Sequence, residues 1–390
     1  MTSPVTSEHL TGYAGEVVVD LDAIRGNVAA LVEHARGAAV MAVVKADAYG
    51  HGLLPSARAA LAGGATWLGV AQVAEALALR AAGVHARVLC WLYAPGGDLA
   101  SAVAADVDVS VGAPWALAEA VAAARTSGRP ARVHLKADTG LGRGGCPPEQ
   151  WRELVEATLR AQSEGAVRFV GVWSHLAFAD APDHPTVRRQ AAAMTEAVDV
   201  ATRAGADLEV RHLANSAAVL TTPEVHLDLV RPGLAVYGLS PVPDLGAPAD
   251  YGLRPAMTVR SRLALVKRVP AGHGVSYGHA YTTSEPTTLG LVPLGYADGV
   301  PRHASGSGPL LAAGRRVTVA GRVCMDQVVV DLGPDADDVR AGDEVVLFGP
   351  GSAGEPTAQD WADAAGTISY EIVARMSGRL PKRYAGEVPG

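Results

Sequence analysis

Residues 20–238 repeat one pattern, in which a short apolar run is followed by a longer segment rich in alanine and leucine. Hydrophobicity within each run is continuous rather than alternating, which is typical of parallel strands buried on both faces. One intervening segment, 114–128, has a proline in its first turn and stops at a glycine, as helices do. The predicted strands lie at 39–44, 67–72, 87–93, 108–112, 132–136, 169–174, 210–214 and 227–231.

Eight strand–helix units predict an α/β domain with a parallel sheet covered by helices. A (β/α)8 barrel of the TIM type fits eight units over this length better than an open, doubly wound sheet does. The open sheet stays a possible alternative, because periodicity alone does not close a barrel.

The pattern changes after Gly238, where a connector rich in proline and glycine begins. Short alternating runs separated by turn residues follow, which predicts a small, mainly antiparallel β domain. We therefore expect a barrel over 20–243 and a C-terminal β domain over 244–390. The strand EVVVD at 16–20 precedes the first helix and lies outside the count of eight, so residues 1–19 are assigned to the β domain.

Composition excludes several classes of protein. The chain of 390 residues has a net charge of −7 and no basic cluster, which argues against nucleic acid or an anionic membrane as a partner. No apolar stretch approaches the ~20 residues that span a bilayer, and the opening residues resemble no secretory signal. Three scattered cysteines suit neither a disulfide framework nor a metal site. We expect a soluble, cytoplasmic protein that binds no metal.

Ionisable residues follow several predicted strands, where a barrel places its chemistry. Lys45 ends the first of them, and alone it would be interpreted as a solvated strand end. Burial would instead lower its pKa and suit it to bind a carbonyl substrate or pyridoxal phosphate. An aldolase-type barrel is the first alternative, although it would leave the β domain without a role. Further strand-end residues are Lys136, Asp138, His175, Asn215, Ser216 and Arg231.

Nine motifs, in the same order and across both predicted domains, resemble the pattern of the alanine racemase family. They are VVKADAYGHG, KADTGLGRGG, SHLAFAD, NSAAVL, LVRPGLAVYG, VSYGHAY, GYADGVPR, RVCMDQ and ISYEIVARMSGRLPKRY. The resemblance implies an isomerase that interconverts L-alanine and D-alanine with pyridoxal 5′-phosphate (PLP) and supplies D-alanine for peptidoglycan. It also implies a homodimer whose active sites are shared between subunits.

The resemblance assigns residues to PLP. Lys45 is similar to the lysine that binds it covalently, and Arg231 to an arginine that faces its pyridine nitrogen. Because arginine stays charged, that nitrogen should remain unprotonated, which limits side reactions such as transamination. The resemblance also places His175 at the cofactor and assigns five residues to its phosphate, namely Tyr49, Ser216, Gly233, Leu234 and Tyr370.

Racemisation requires a base on each face of the substrate, and the resemblance assigns Lys45 to one face and Tyr277 of the partner subunit to the other. A hydrogen-bond relay through His175 to Arg231 would assist the phenol. Arg143 and Met325 are similar to residues that bind the substrate carboxylate. Lys136 resembles a lysine that is often carbamylated, and its negative charge would then hold Arg143.

Five further residues match positions along a corridor to the site, and these are Asp180, Tyr296, Arg302, Arg322 and Ile368. A narrow inner end would favour a side chain as small as methyl. Three alternatives stay open: a racemase of broader specificity acting on serine, lysine or arginine, a decarboxylase of related fold, and a PLP-binding regulator without catalysis.

Overall fold

The computed structural model describes residues 14–376 and 378–386. Residues 1–13 and 387–390, at the ends of the predicted β domain, lie outside the described residues, and so does Ser377 in the last motif. The opening stretch, in which no secretory signal is expected, is among them. The chain divides into two compact units. The barrel unit comprises Asp22–Ala48 and Leu53–Arg254, and the strand-rich unit comprises the described parts of Met1–Leu21, Tyr49–Gly52 and Pro255–Glu387.

Strands are numbered along the whole chain, and β1 (Gly15–Asp20) belongs to the strand-rich unit. The barrel unit contains β2 (Ala39–Val43), β3 (Trp67–Val70), β4 (Arg87–Cys90), β5 (Asp108–Val111), β6 (Ala131–Lys136), β7 (Val167–Trp173), β8 (Val210–His212) and β9 (Leu229–Val230). All pair in parallel with their neighbours in the order β8-β7-β6-β5-β4-β3-β2-β9. Each overlaps its predicted position, and each begins within two residues of the predicted start.

Helices occupy the connections between these strands, as the sequence predicts. They are α1 (Leu21–His34), α2 (Lys45–Tyr49), α3 (Leu53–Ala62), α4 (Val73–Ala81), α5 (Leu99–Ala104), α6 (Pro114–Ser127), α7 (Pro148–Ser163), α8 (Pro185–Arg203) and α9 (Ser216–Thr221). The proline of α6 lies at its first position, and Gly128 ends the helix in a left-handed conformation.

The sheet closes between β8 and β9, through hydrogen bonds of residues within or beside these strands. The Arg231 N–H donates to the Ala214 carbonyl at 2.9 Å, and the Asp228 N–H donates to the Arg211 carbonyl at 3.1 Å. Asn215 and Arg231 form an isolated parallel bridge. These contacts confirm the barrel and exclude the open sheet. Apolar residues of β2, β4 and β9 then pack together, among them Met41, Leu89 and Leu229.

The strand-rich unit continues the numbering with β10 (Met257–Arg262), β11 (Leu265–Val269), β12 (Gly274–Val275), β13 (Tyr281–Thr282), β14 (Thr287–Val292), β15 (Pro309–Ala312), β16 (Arg315–Thr318), β17 (Val328–Gly333), β18 (Glu344–Phe348) and β19 (Lys382–Ala385). It also has two helices, α10 (Ala358–Ala365) and α11 (Ser369–Arg375). Its largest sheet has the order β16-β15-β18-β10-β1-β19. The strand EVVVD thus pairs with β10 and β19.

Among the residues described, no helix combines the length and the apolar character that crossing a membrane requires.

Leu89→Ala should lower the free energy of unfolding by about 2–5 kcal/mol, because it opens a cavity among the packed side chains of the barrel. Leu89 is fully buried, whereas Leu245 is 56% exposed. Urea unfolding followed by circular dichroism measures both changes. Leu245→Ala is the matched control and should change stability by less than about 0.5 kcal/mol. Equal effects of the two substitutions would contradict this description of the core.

Candidate active site

Five side chains follow the carboxyl ends of barrel strands and form what we call the rim cluster, namely Lys45, Lys136, Arg143, His175 and Arg231. Lys136 is the last residue of β6, and Arg231 comes directly after β9. His175 comes two residues after β7, and Lys45 two residues after β2. Because all strands are parallel, these ends share one rim of the barrel.

The backbone directly after Lys45 forms a left-handed turn. Ala46, Asp47, Ala48 and Tyr49 all have positive φ angles, between 52° and 55°. Such a conformation costs L-residues about 1–2 kcal/mol each, so other contacts must hold it. Glu75 supplies one of them, since its carboxylate accepts the Ala46 N–H at 2.6 Å. The same carboxylate accepts the N–H groups of Ala71 and Gln72 and thereby anchors the turn to the start of α4.

The loop that carries Arg143 is organised by Asp138. Its Oδ1 accepts the backbone N–H groups of Gly140, Leu141 and Gly142 at 3.0–3.1 Å. Gly145 has φ of +126°, and a side chain there would meet the backbone of Ala137. The carboxylate thus shapes the turn, and Arg143 itself is exposed.

Burial and repulsion by neighbouring cations lower the pKa values of the two lysines of the rim cluster. The pKa of Lys136 falls to about 8, because the amine is buried and because Arg143 and Arg231 repel its charge. Burial, and then Arg143, also lower the pKa of Lys45, against a smaller opposing effect of Glu75. Both amines therefore lose their protons more readily than a lysine in water, which favours nucleophilic chemistry.

His175 is neutral at ordinary pH. Burial lowers its pKa to about 3, and the nearby charges of Arg231, Arg143, Lys136 and Lys45 act in the same direction. Its Nδ1 lies 3.4 Å from Nη2 of Arg231. An arginine only donates, so Nδ1 accepts and the ring proton resides on Nε2.

Arg231 is buried, and its two terminal nitrogens have protein partners. Nη2 donates to the carbonyl of Ser174 at 2.7 Å and to that of Leu213 at 3.2 Å, and Nη1 contacts Nδ1 of His212 at 3.0 Å. None of its contacts with the described residues uses Nε. That N–H is the donor that could meet a ring nitrogen. Burial lowers the pKa of Arg231 to about 9, so it remains charged at neutral pH.

Ser216 brings three of the predicted phosphate contacts together. Its hydroxyl oxygen accepts the Gly233 N–H at 2.7 Å and the Ala235 N–H at 3.3 Å. Ser216 starts α9, and Leu234 starts the 3-10 helix Leu234–Tyr237. Two helix starts and a hydroxyl form a donor set that suits a phosphate.

The remaining predicted residues of the barrel and of the left-handed turn are placed as follows. Asp180 is exposed in the loop before α8. Tyr49 belongs to the strand-rich unit, in which its ring lies 6.1 Å from that of Tyr370. Burial, with a contribution from Tyr370, raises the pKa of Tyr49, so its phenol keeps its proton.

In the strand-rich unit, hydrogen bonds of neighbouring residues link Tyr277 to Arg322 and Tyr296 to Met325. The Ser276 hydroxyl, next to Tyr277, donates to the Arg322 carbonyl at 2.8 Å. The Tyr296 N–H donates to the carbonyl of Cys324, the neighbour of Met325, at 3.0 Å. Arg302 is exposed at the start of a 3-10 helix, and Ile368 is exposed directly before α11.

Several residues that position the site were missed by reasoning from the sequence alone. Glu75 could have been suspected from a glutamate three residues into a helix, the pattern of a capping box. No sequence pattern comparable to a capping box points to Gln190. Its amide nitrogen donates to the carbonyl of His175 at 3.0 Å, and its oxygen accepts the Ala177 N–H. The buried Asp108, His134 and His212 were likewise missed.

Stability should fall on acidification, partly through His175. In the unfolded state His175 binds a proton near its ordinary pKa of 6.5, whereas in the folded protein its pKa is about 3. Between these values the unfolded state binds more protons, so stability is lost as pH falls. When the pH falls from ~7.5 to ~5.5, the free energy of unfolding of His175→Gln should decrease by about 1 kcal/mol less than that of the native protein.

Urea unfolding at the two pH values measures this difference. His85→Gln, at an exposed histidine, is the matched control and should follow the native protein. The same acid sensitivity in His175→Gln and the native protein would contradict the assignment of a neutral, buried imidazole.

Comparison with known proteins identifies the family. Residues 19–241 match the alanine racemase N-terminal domain, and residues 256–384 match the alanine racemase C-terminal domain. The alanine racemase of Frankia casuarinae is 62% identical over 94% of this chain and 95% of its own, and that of Streptomyces coelicolor is 61% identical over 95% of each. The crystal structure of alanine racemase from D-cycloserine producing Streptomyces lavendulae has 59% identity and a TM-score of 0.95, over 97% of this chain and 98% of that one.

The domain matches, the near-complete coverage and the barrel with its rim cluster agree, and the chain belongs to the alanine racemase family of isomerases.

Proposed function

We propose that the chain interconverts L-alanine and D-alanine with PLP, using one acid–base group on each face of the substrate. The observation that carries the proposal is the rim cluster. Four cationic side chains share the rim, and the carboxylates of Asp138 and Glu75 that lie near them are engaged with backbone N–H groups. Such a rim suits a ligand with several negative charges, which a phosphate and an amino-acid carboxylate together provide.

The donor set fits PLP. Lys45 would hold it through an amine whose lowered pKa favours bond formation with an aldehyde. The Ser216 hydroxyl and the two helix starts suit the phosphate. Arg231 would donate from Nε to the ring nitrogen. When bound, PLP supplies an electron sink for the substrate α-carbon. The roles of Tyr49, Gly233, Leu234 and Tyr370 at the phosphate stay predictions.

The chain's own groups then move the proton. The Lys45 amine takes or returns it on one face. Tyr277 from the partner subunit acts on the other, although a phenol with an ordinary pKa near ~10 is a weak base. His175 helps here, because Arg231 fixes its tautomer with the proton on Nε2. That N–H can donate to the tyrosine oxygen and stabilise its deprotonated form.

Substrate binding is assigned to Arg143 and to the backbone of Met325 from the partner. The loop set by Asp138 presents the Arg143 guanidinium. Tyr296 and Tyr370 would narrow the corridor and limit the side chain to methyl, with Asp180, Arg302, Arg322 and Ile368 along its walls. D-Alanine would supply peptidoglycan synthesis in the cytoplasm, and that location stays a prediction.

A homodimer is the proposed functional unit. Large side chains predicted at the site are exposed in the single chain, Tyr277 by 70%, Met325 by 54% and Ile368 by 59%. The side chains of Ser276 and Cys324, the neighbours of Tyr277 and Met325, lie 3.6 Å apart, and exposed large side chains on adjacent backbone favour a protein interface. A subunit that lacks Tyr277 of its partner would hold an incomplete site.

Carbamylation of Lys136 is the second part of the proposal. With its pKa near 8, a substantial part of the amine is neutral at slightly alkaline pH and can react with CO2. Its nitrogen would bond to the carbon of CO2 and lose a proton to solvent, which leaves a carbamate. The product would replace a positive charge by a negative one beside Arg143 and Arg231. Repulsion would become attraction, and the rim cluster would be stabilised.

The purified protein with PLP should absorb visible light and form D-alanine from L-alanine, detected with a D-amino-acid oxidase. Lys45→Ala should lose the absorbance and the activity. Tyr277→Phe should keep the absorbance and lose activity. Lys267→Ala, at an exposed lysine, is the control and should resemble the native protein. Absorbance without D-alanine would favour another amino acid or a non-catalytic binder, and release of CO2 would favour a decarboxylase.

The same two variants test whether the sites are shared. Refolded together, they form mixed dimers in which one site combines native Lys45 with the partner's native Tyr277. About half of the dimers are mixed and each has one such site, so activity should return to about a quarter of native. A mixture as inactive as its components would reject a site built by two subunits.

Carbamylation predicts a 13C signal when the protein is equilibrated with labelled bicarbonate and observed by NMR. The signal should grow as pH rises through about 8, because the neutral amine becomes more abundant. It should vanish in Lys136→Met and persist in Lys382→Met. A signal unchanged in Lys136→Met would place any carbamate elsewhere.

A further inference from the structure

A chain of buried polar side chains crosses the interior of the barrel and ends at Arg231. Nη1 of Arg231 contacts Nδ1 of His212 at 3.0 Å. Nε2 of His212 contacts Nδ1 of His134 at 3.0 Å, and Nε2 of His134 contacts Oδ2 of Asp108 at 2.9 Å. All four side chains are buried, and both imidazoles are fully enclosed. We call His212, His134 and Asp108 the buried imidazole chain.

Arg231 at one end and Asp108 at the other fix the direction of the hydrogen bonds along the buried imidazole chain. Arginine can only donate, so Nδ1 of His212 accepts and its proton resides on Nε2. That N–H donates to Nδ1 of His134, which leaves the second proton on Nε2, facing the Asp108 carboxylate. Burial lowers the pKa of His134 and takes that of His212 well below its ordinary value, so both rings are neutral. Every hydrogen bond therefore runs from Arg231 toward Asp108.

Asp108 is held as a carboxylate by its own neighbours. Arg132 donates from Nε to Oδ1 at 3.0 Å, and Arg87 pairs with Oδ2. Glu209 bridges the same two arginines from the outer side. These contacts and His134 keep the pKa of Asp108 below its ordinary value despite its burial.

Arg231 lacks any comparable partner. Among the ion pairs of the described residues, none joins a carboxylate to Arg231. Its charge faces the carbonyls of Ser174 and Leu213, the neutral rings of His175 and His212, and the face of Trp173 at 4.8 Å. Trp173 also stacks on His212 and restricts the imidazole.

We propose that the buried imidazole chain is a positioning device for Arg231: Asp108 fixes the tautomers of His134 and His212, so that an acceptor always faces the guanidinium and Nε stays directed at the cofactor's ring nitrogen. The inference rests on the proposed binding of PLP. The chain is static rather than a proton wire, because arginine does not release its proton at neutral pH. Its effect is to hold one orientation and to bring the distant Asp108 charge to bear on Arg231.

A matched pair of substitutions at His134 separates hydrogen bonding from packing. His134→Leu fills a similar volume but can neither accept from His212 nor donate to Asp108. His134→Gln supplies an acceptor and a donor and should restore the direction of the chain. Glu209→Gln alters the same cluster of arginines without touching either imidazole, and serves as the control.

The first readout is NMR of the native protein labelled with 15N-histidine, before PLP is added. Both His134 and His212 should be neutral with the proton on Nε2. This measurement requires neither a variant nor the cofactor. A proton on Nδ1 of His212, or a charged ring, would overturn the inference whatever the protein binds.

The second readout is PLP itself, labelled with 15N in the ring and titrated into the PLP-free protein. His134→Leu should bind it about tenfold more weakly, as expected for a weakened hydrogen bond from a charged donor, and should shift the ring-nitrogen signal. His134→Gln and Glu209→Gln should remain close to native in both respects. Thermal unfolding of each variant identifies any general loss of structure.

The outcomes separate this inference from the proposed function. If native protein binds PLP and folded His134→Leu binds it equally well with an unchanged ring-nitrogen signal, the positioning role is wrong while the cofactor stands. If His134→Gln is as impaired as His134→Leu, packing rather than direction explains the loss, and the inference is again overturned. If the native protein binds no PLP, the proposed function fails and this inference fails with it.

Discussion

Repulsion among like charges at one rim of the barrel is the constraint on which the chemistry of this protein depends. The ends of parallel strands hold Lys45, Lys136 and Arg231 near one another, and the loop shaped by Asp138 brings Arg143 beside them. Burial, and then this repulsion, lower the pKa values of both lysines. The same excess of positive charge makes the rim a receptor for anions. The repulsion therefore contributes both to reactivity and to ligand preference.

Contacts with residues outside the rim cluster hold these mutually repelling cations in place. Glu75 holds the left-handed turn that follows Lys45, and Asp138 shapes the loop that carries Arg143. Both carboxylates accept backbone N–H groups, so they define backbone geometry and do not form an ion pair with the cations they support. Arg231 is held differently, by carbonyls and by the neutral ring of His212. Lys45, Arg143 and Arg231 thus each have their own support.

Most of the fold could be predicted from the sequence because the hydrophobic patterns of both units are strong. Continuous apolar runs such as 39–44 mark strands buried on both faces, and the alternating runs after Gly238 mark the second unit. Barrel closure was harder to predict. The last strand, Leu229–Val230, has two residues, and closure depends on hydrogen bonds between the segments around Ala214 and Arg231. Periodicity describes single strands, whereas closure is a relation between β8 and β9, the two ends of the hydrogen-bonded strand order.

The sequence by itself determined the family pattern, the strand-end position of Lys45 and the residues that could bind an anion, since motifs and apolar runs are local in the chain. Only the tertiary structure decided the rest. His134 and His212 lie 78 positions apart, and Asp108 lies 26 positions before His134. No periodicity predicts that they meet inside the barrel, because the contact arises from which strands are neighbours and which side chains point inward. The direction of the hydrogen bonds and the lowered pKa values of the two histidines follow from their enclosure inside the barrel. A sequence does not specify residue by residue which side chains are enclosed.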